Sequence, residues 1–181
     1  MLKEMIFSGF GGQGVLSMGK LIAYAAMKEG KEVSWMPSYG PEMRGGTANC
    51  IVNISDEPIS SPIVTEYDIV VALNQPSLKK FEPRVKKGGV LIWESSTIKE
   101  GPTRTDIRIY PLPAIEKATE ELKNVKVMNM LILGSLVKVE KIVDEESLMT
   151  ALKETLPERY HDMIPLNKKA LEMGMNLVNG Q

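Results

Sequence analysis

The sequence predicts an α/β fold: a single open mixed sheet with helices on its faces, a Rossmann-like start and a helical C-terminal third. A short apolar segment enters a glycine-rich turn and then an amphipathic stretch, the pattern that opens a βαβ unit. Residues 69–73 and 90–93 are unbroken apolar runs, as expected of strands buried on both faces. Beyond residue 113 only helical periodicity remains. Strands alternating with helices, followed by helices alone, place this chain among open sheets covered by helices.

Residues 5–8 read as the first strand, closed by Gly9. In the helix that follows, Val15, Met18, Ile22 and Ala25 form one stripe with Leu21, and Ser17, Lys20, Tyr24 and Lys28 form another. Gly30 stops it. A second strand at 33–36 leads into residues 37–46, whose prolines and glycines predict an irregular loop too long for a simple hairpin. A third strand, 50–54, is expected to run antiparallel to the second, and a turn region over 58–62 follows. After the 69–73 strand, Asn74-Gln75-Pro76-Ser77 reads as a helix start. The 90–93 strand follows Gly88-Gly89, and a last strand at 107–110 ends at Pro111-Leu112-Pro113. Helices are expected over 115–122, 128–139, 145–156 and 166–178.

With 181 residues, 43% of them hydrophobic, the chain can bury a real core and matches the size of one domain. Lys+Arg 22 against Asp+Glu 23 gives a net charge of -1, so no global field draws the protein to nucleic acid or an anionic membrane. Protein partners or small ligands are expected instead. One cysteine, Cys50, excludes an internal disulfide and a self-contained iron–sulfur cluster, which needs about four thiolates. No signal-like stretch opens the sequence and no apolar run approaches the roughly 20 residues of a membrane span, so a cytoplasmic protein is expected.

In open sheets of this kind ligands meet the loops beyond the carboxyl ends of the strands. Residues 9–14, 38–46, 74–77 and 94–97 are expected to form such a rim. Gly9-Phe10-Gly11-Gly12-Gln13-Gly14 fits G-x-G-x-x-G between strand and helix, the context of a backbone-amide anion cradle. A dinucleotide would also require an acid near the end of the second strand, where this chain has Trp35-Met36-Pro37. The glycines therefore read either as an anion or phosphate contact or as packing of strand on helix. Gly14 to Lys20 imitates a P-loop, but Leu21 stands where the magnesium-binding hydroxyl belongs, and Lys20 lies about 9 Å along a helix from Gly14. His161, the only histidine, reads as a solvated side chain without metal spacing, and Cys50 as an inert core thiol. The 12 methionines read as core or interface filler. Arg44, flanked by glycines, either presents its guanidinium to a carboxylate or phosphate or is a solvated loop residue, and Glu42 stands ready to pair with it or with a partner chain.

Three segments together resemble the gamma subunits of 2-oxoacid:ferredoxin oxidoreductases. They are Gly9-Phe10-Gly11-Gly12-Gln13-Gly14-Val15, Pro37-Ser38-Tyr39-Gly40-Pro41-Glu42-Met43-Arg44-Gly45-Gly46 and Asn74-Gln75-Pro76-Ser77. The resemblance implies one gamma-type domain over 1–181, in a complex that converts a 2-oxoacid (2-oxoglutarate, 2-oxoisovalerate or pyruvate) to its acyl-CoA and passes electrons to ferredoxin. It is nearest in look to the 2-oxoglutarate and branched-chain branches, with indolepyruvate oxidoreductases as relatives. Thiamine diphosphate, magnesium and iron–sulfur clusters are then expected in alpha, beta and delta-type partner subunits, with coenzyme A as co-substrate. No activity, catalytic residue or metal is expected of this chain alone, which is open to self-pairing as a homodimer. Gly9, Gly11, Gly12, Gln13 and Gly14 become candidates for a phosphate contact, and Ser38, Tyr39, Glu42, Arg44, Asn74 and Gln75 for a substrate or partner loop. Two other readings stay in view: a free-standing nucleotide-binding oxidoreductase, and a non-enzymatic scaffolding or ligand-binding module.

Overall fold

The computed structural model describes residues 1–39 and 46–179. In chain order the elements are β1 (Leu2–Phe10), α1 (Val15–Lys28), β2 (Glu32–Tyr39), β3 (Thr47–Ser55), β4 (Tyr67–Ala72), α2 (Gln75–Phe81), β5 (Val85–Glu94) and β6 (Arg108–Leu112), then α3 (Ala114–Glu120), α4 (Met128–Val139), α5 (Glu145–Thr155) and α6 (Ile164–Leu177). The sheet has six strands in the order β2-β3-β1-β4-β5-β6. β1, β4, β5 and β6 run parallel, while β3 pairs antiparallel with both β1 and β2. The mixed sheet and the helical C-terminal part are those the sequence predicts.

Alternation along β1 sorts the core into two layers. Met5 and Phe7 join Cys50, Val52, Ile69 and Ile92 beneath α1, α4, α5 and α6. Ile6 points the other way and joins Val70, Leu91, Leu78 and Phe81. That second layer is roofed by the short α2 and irregular segments, with Tyr67 and Phe81 meeting edge to face at 6.2 Å between ring centroids.

Close approach of backbone fixes the thicker layer. A Cβ added at Gly19 would strike the Cys50 sulfur, so this glycine, part of the P-loop imitation, serves to seat α1 on β3. Where α4 crosses α6, a Cβ at Gly134 would meet the Leu171 carbonyl and one at Gly174 the Leu131 carbonyl. The Ser135 hydroxyl donates to the Gly174 carbonyl at 2.8 Å across the same crossing.

Several sequence expectations are corrected. β2 runs on through Pro37 and Ser38 to Tyr39, so the irregular loop begins later than expected. β6 likewise continues through Pro111 to Leu112. Both are edge strands, where one row of backbone donors is unpaired and a proline can take the place of one of them. β1 and β5 are longer than their apolar centres because pairing with neighbours carries the ladder into polar residues. α6 starts at Ile164, after a 3-10 turn over Glu158–Met163. That turn leaves His161 half-buried rather than solvated, with Nε2 2.9 Å from the Leu156 carbonyl.

Glu140, just past α4, gathers charges from a central and an edge strand of the sheet: it accepts from Lys3 of β1 at 2.8 Å and from Arg108 of β6. Burial pulls its carboxyl up, but the bonds from these two cations more than reverse that and hold it below the usual carboxylate range. A carboxyl depressed in the folded state stabilises above its unfolded value of about 4.3 and loses that contribution as pH falls through the folded value. Glu140→Gln is therefore expected to lower unfolding free energy by about 1–2 kcal/mol at neutral pH in urea titrations, the figure being discounted for the exposed Arg108. The gap to the natural protein should narrow as pH falls below the ordinary carboxylate range, and a gap independent of pH would contradict this. Burial also pushes the Cys50 thiol up to about 12. Iodoacetamide at pH 8 should leave the native thiol intact and modify it only on unfolding, as mass spectrometry would read.

Candidate functional site: an amide cradle at the glycine loop

β1 ends at Phe10 and α1 begins at Val15, so the chain reverses within four residues. Gly12 at φ 96 and Gly14 at φ 77 make the reversal, in a backbone region that other residues enter with strain. The loop is held on both flanks. Toward β3, the Gly11 amide donates to the Gly46 carbonyl at 2.9 Å, extending the ladder one step past the paired Gly9 and Ala48. Toward β4, Gln13 folds beneath the loop: its Oε1 accepts from the Phe10 amide at 2.7 Å and its Nε2 donates to the Leu73 carbonyl at 3.1 Å. Gly9 makes room for that fold, since a Cβ there would lie 2.6 Å from the Gln13 Oε1 and 2.9 Å from the Leu73 Cβ.

After these bonds are counted, the amides of Gly12, Gly14, Val15, Leu16 and Ser17 have no acceptor among the described residues. The first turn of α1 carries no acidic residue, and Gly14 gives it no side-chain cap. These same residues, with Phe10 and Ala48, line a cavity of about 430 Å³. Unpaired amides at the positive end of a 14-residue helix are chemically suited to an anion, a phosphate above all.

The strand order brings the ends of β1, β2, β4 and β5 to one edge of the sheet, and β3 starts there. The 9–14, 74–77 and 94–97 segments therefore share a rim, as expected. Asn74 caps α2, its Oδ1 accepting from the Ser77 amide at 2.8 Å, while its buried Nδ2 has no acceptor among the described residues. Gln75 is engaged at both ends of its amide with the Glu100 backbone, at 2.9 Å each way. Ser38 is an exposed strand residue opposite Asn49, and Tyr39 closes β2. Glu42 and Arg44 lie outside the described residues.

The sequence reading missed Glu94 as an individual residue. It is 1% exposed and accepts from Ser96, from the Thr97 amide and hydroxyl, and from the Ile115 amide, tying the end of β5 to the start of α3. An acid followed by Ser95, Ser96 and Thr97 is the local signal that could have exposed it. Among the described residues no group of three or more His, Cys, Asp or Glu side chains could hold a metal ion, and no helix is long and apolar enough to cross a membrane.

The chain with this mixed sheet and glycine loop matches the model of one oxidoreductase family over nearly its whole length. The chain belongs to that family, pyruvate ferredoxin/flavodoxin oxidoreductase, whose model matches residues 4–177. It is 41% identical over 168 residues to ketoisovalerate oxidoreductase subunit VorA of Methanothermobacter marburgensis, covering 92% of this chain and 34% of that protein. It thus spans about a third of the length of the VorA relatives. It is 38% identical over 160 residues to 2-oxoglutarate synthase subunit KorC of Methanocaldococcus jannaschii, covering 87% of this chain and 86% of that one. Among solved structures it is similar to the keto/oxoacid ferredoxin oxidoreductase gamma subunit of Geobacter sulfurreducens, with a TM-score of 0.84, 30% identity and 99% of each chain covered.

The Gln13 strap gives a local prediction. Gln13→Leu removes both bonds, and the Phe10 amide is expected to exchange its hydrogen at least about ten-fold faster, the equivalent of about one lost hydrogen bond. Gln13→Glu keeps the acceptor and should keep Phe10 protected. Equal exchange in all three proteins would show that the strap holds nothing.

Proposed function

We propose that this chain is the gamma-type subunit of a 2-oxoacid:ferredoxin oxidoreductase, working in a complex that oxidatively decarboxylates a 2-oxoacid to its acyl-CoA. The observation that carries the site reading is the set of unpaired amides at the loop, joined to a chain with one cysteine and that one buried. Such a chain is equipped to position an anion and not to carry electrons. The carbon chemistry is then supplied by thiamine diphosphate and the electron transfer by iron–sulfur clusters, both in partner subunits of alpha, beta and delta type, with ferredoxin as acceptor. This chain contributes the cradle: the amides of Gly12, Gly14, Val15, Leu16 and Ser17 hold a phosphate of coenzyme A. Gly9, Gly11 and Gln13 act beneath them as positioning residues, because their space or polar atoms are already used by the fold. Arg44, Glu42, Ser38 and Tyr39 serve the 2-oxoacid or the partner surface beside it, with Asn74 and Gln75 shaping the rim. Names of the relatives support a branched-chain 2-oxoacid or 2-oxoglutarate as substrate. A cytoplasmic location fits this role.

Topology speaks against the free-standing nucleotide dehydrogenase. In a dinucleotide fold the acid that grips the ribose ends the strand beside β1, and here that place is filled by β3 running the opposite way.

Ser17→Asp separates binding from folding. An acid in the first turn favours the helix dipole, so melting temperature should hold or rise. The same charge beside the cradle should raise the KM for coenzyme A in the assembled complex at least ten-fold (about 1.4 kcal/mol) with kcat little changed. An unchanged KM would remove the amide–phosphate contact. Affinity purification at low oxygen, with the eluate assayed for coenzyme A-dependent 2-oxoacid oxidation, tests the assembly, and a chain that emerges alone and inactive would overturn it.

A further inference from the structure

Of the large apolar side chains left exposed among the described residues, three gather at one place: Met1 and Leu2, each 51% exposed, and Ile63, 70% exposed, border a hollow of about 490 Å³. The hollow lies where β1 starts and β3 ends, beside the segment 56–66 that joins β3 to β4. β1 runs from here to the glycine loop, so this end of the sheet stands about 25 Å from the cradle, at roughly 3.3 Å per residue. Pro58 and Ile59 add to the apolar lining. The charged side chains that line it are both acids, Glu4 and Glu57, and no Lys or Arg does. Glu4 already accepts from Lys86 at 2.6 Å, and the Met1 amine is bound to Asp56 at 2.5 Å. Glu57 is exposed and has no cationic partner among the described residues.

The 56–66 segment is irregular, yet it is held. The Glu57 amide donates to the Ser55 hydroxyl at 3.0 Å, and the Ile63 amide donates to the Ser61 hydroxyl at 3.1 Å. From the sheet side the buried Asn53 donates from Nδ2 to the Pro62 carbonyl at 3.3 Å, and the buried Tyr67 donates from its hydroxyl to the Val64 carbonyl at 3.2 Å. Ile63 sits between these two anchored carbonyls, so buried polar groups hold a large apolar side chain out in water. A segment free to relax would turn that side chain inward, because burying it is favourable. A small-ligand pocket hides its apolar side chains. A fixed, projecting one with a hollow at its base is a surface that a macromolecular partner covers.

We infer that this end of the sheet is a docking surface for a partner subunit, which sets an apolar side chain between Leu2 and Ile63 and a lysine or arginine against Glu57. Charge selects that occupant. A second copy of this chain, related by a two-fold axis through the patch, would set one acidic hollow against another, and like charges across an interface oppose association. The inference rests on the assembly proposed above and adds where the chain is held. Its distance from the cradle lets one end of the sheet anchor the chain while the other is left to its anion.

The test uses the complex that copurifies with the tagged chain at low oxygen, in four forms: the natural protein, Ile63→Asp, Glu57→Lys and the apolar control Ile63→Leu. All three substitutions are at exposed positions, so unchanged melting curves of the isolated chains are expected. At low ionic strength Ile63→Asp should lower recovery of the partner subunits at least about ten-fold and Glu57→Lys at least about three-fold, while Ile63→Leu retains it. Hydrogen exchange reads the contact itself. In the natural protein the Ile59, Ser60 and Ser61 amides should exchange at least about ten-fold more slowly in the complex than in the isolated chain. The inference is overturned if those amides exchange alike in both, or if Ile63→Asp and Glu57→Lys bring down the partners as the natural chain does. A loss with Ile63→Asp but not with Glu57→Lys would overturn the cationic occupant, and slowing that appears in the isolated chain as its concentration rises would make the occupant a second copy. A natural chain that emerges without partners removes the proposed assembly and this surface with it, whereas equal recovery in all four forms removes the surface alone.

Discussion

The pairing of β3 with β1 is the constraint on which the site depends. Ala48 stands opposite Gly9 and Thr47 opposite Phe10, and the ladder takes one more step from the Gly11 amide to the Gly46 carbonyl. This last bond sits beyond the strands, where a loop would otherwise be free to move. It uses one glycine-loop amide and fixes the aim of the rest. Had β2 paired directly with β1 instead, the strand beside the loop would run parallel and end there, and its exit segment would occupy the space now taken by the cradle.

On the opposite flank lies the point where the sheet changes its winding. α1 covers one face after β1, and α2 covers the other after β4, so the crevice between these strands is where an open sheet would ordinarily admit a ligand. Gln13 fills it. Its amide spans from Phe10 to Leu73, and the Ser8 hydroxyl donates to Ser77 at 2.8 Å on the other side of the sheet. Open space is left on the α1 side, over Ser17 and toward Lys20. A polar residue in a glycine loop was readable as a donor to a ligand. In the fold both of its polar atoms are spent on Phe10 and Leu73.

What the sequence made legible was what short-range pattern encodes. The apolar runs at β4 and β5, the glycine turn and the stripe of α1 all satisfy local rules that the tertiary structure keeps. What it hid depends on neighbours far along the chain. Pro37 and Pro111 look like breakers until the strand order puts both at sheet edges. Gly134 and Gly174 lie 40 residues apart, and only the crossing of α4 and α6 shows why neither can carry a side chain. Leu2 and Ile63 are far apart in the chain, and no spacing rule connects them before β3 returns to the start of β1.

The cradle's openness bears on how it can work. Its amides face a cavity that solvent reaches, and in water a phosphate held by neutral amides competes with bulk hydration. The same amides gain strength when water is excluded, because the local dielectric falls while their geometry stays fixed. The bonds on the loop's two flanks supply the fixed geometry, but nothing in this chain's described residues covers the cavity. On the reading proposed here the cover is a partner subunit. A cradle prepared by one chain and closed by another would bind its anion well only in the assembled enzyme, which ties use of the acyl acceptor to assembly.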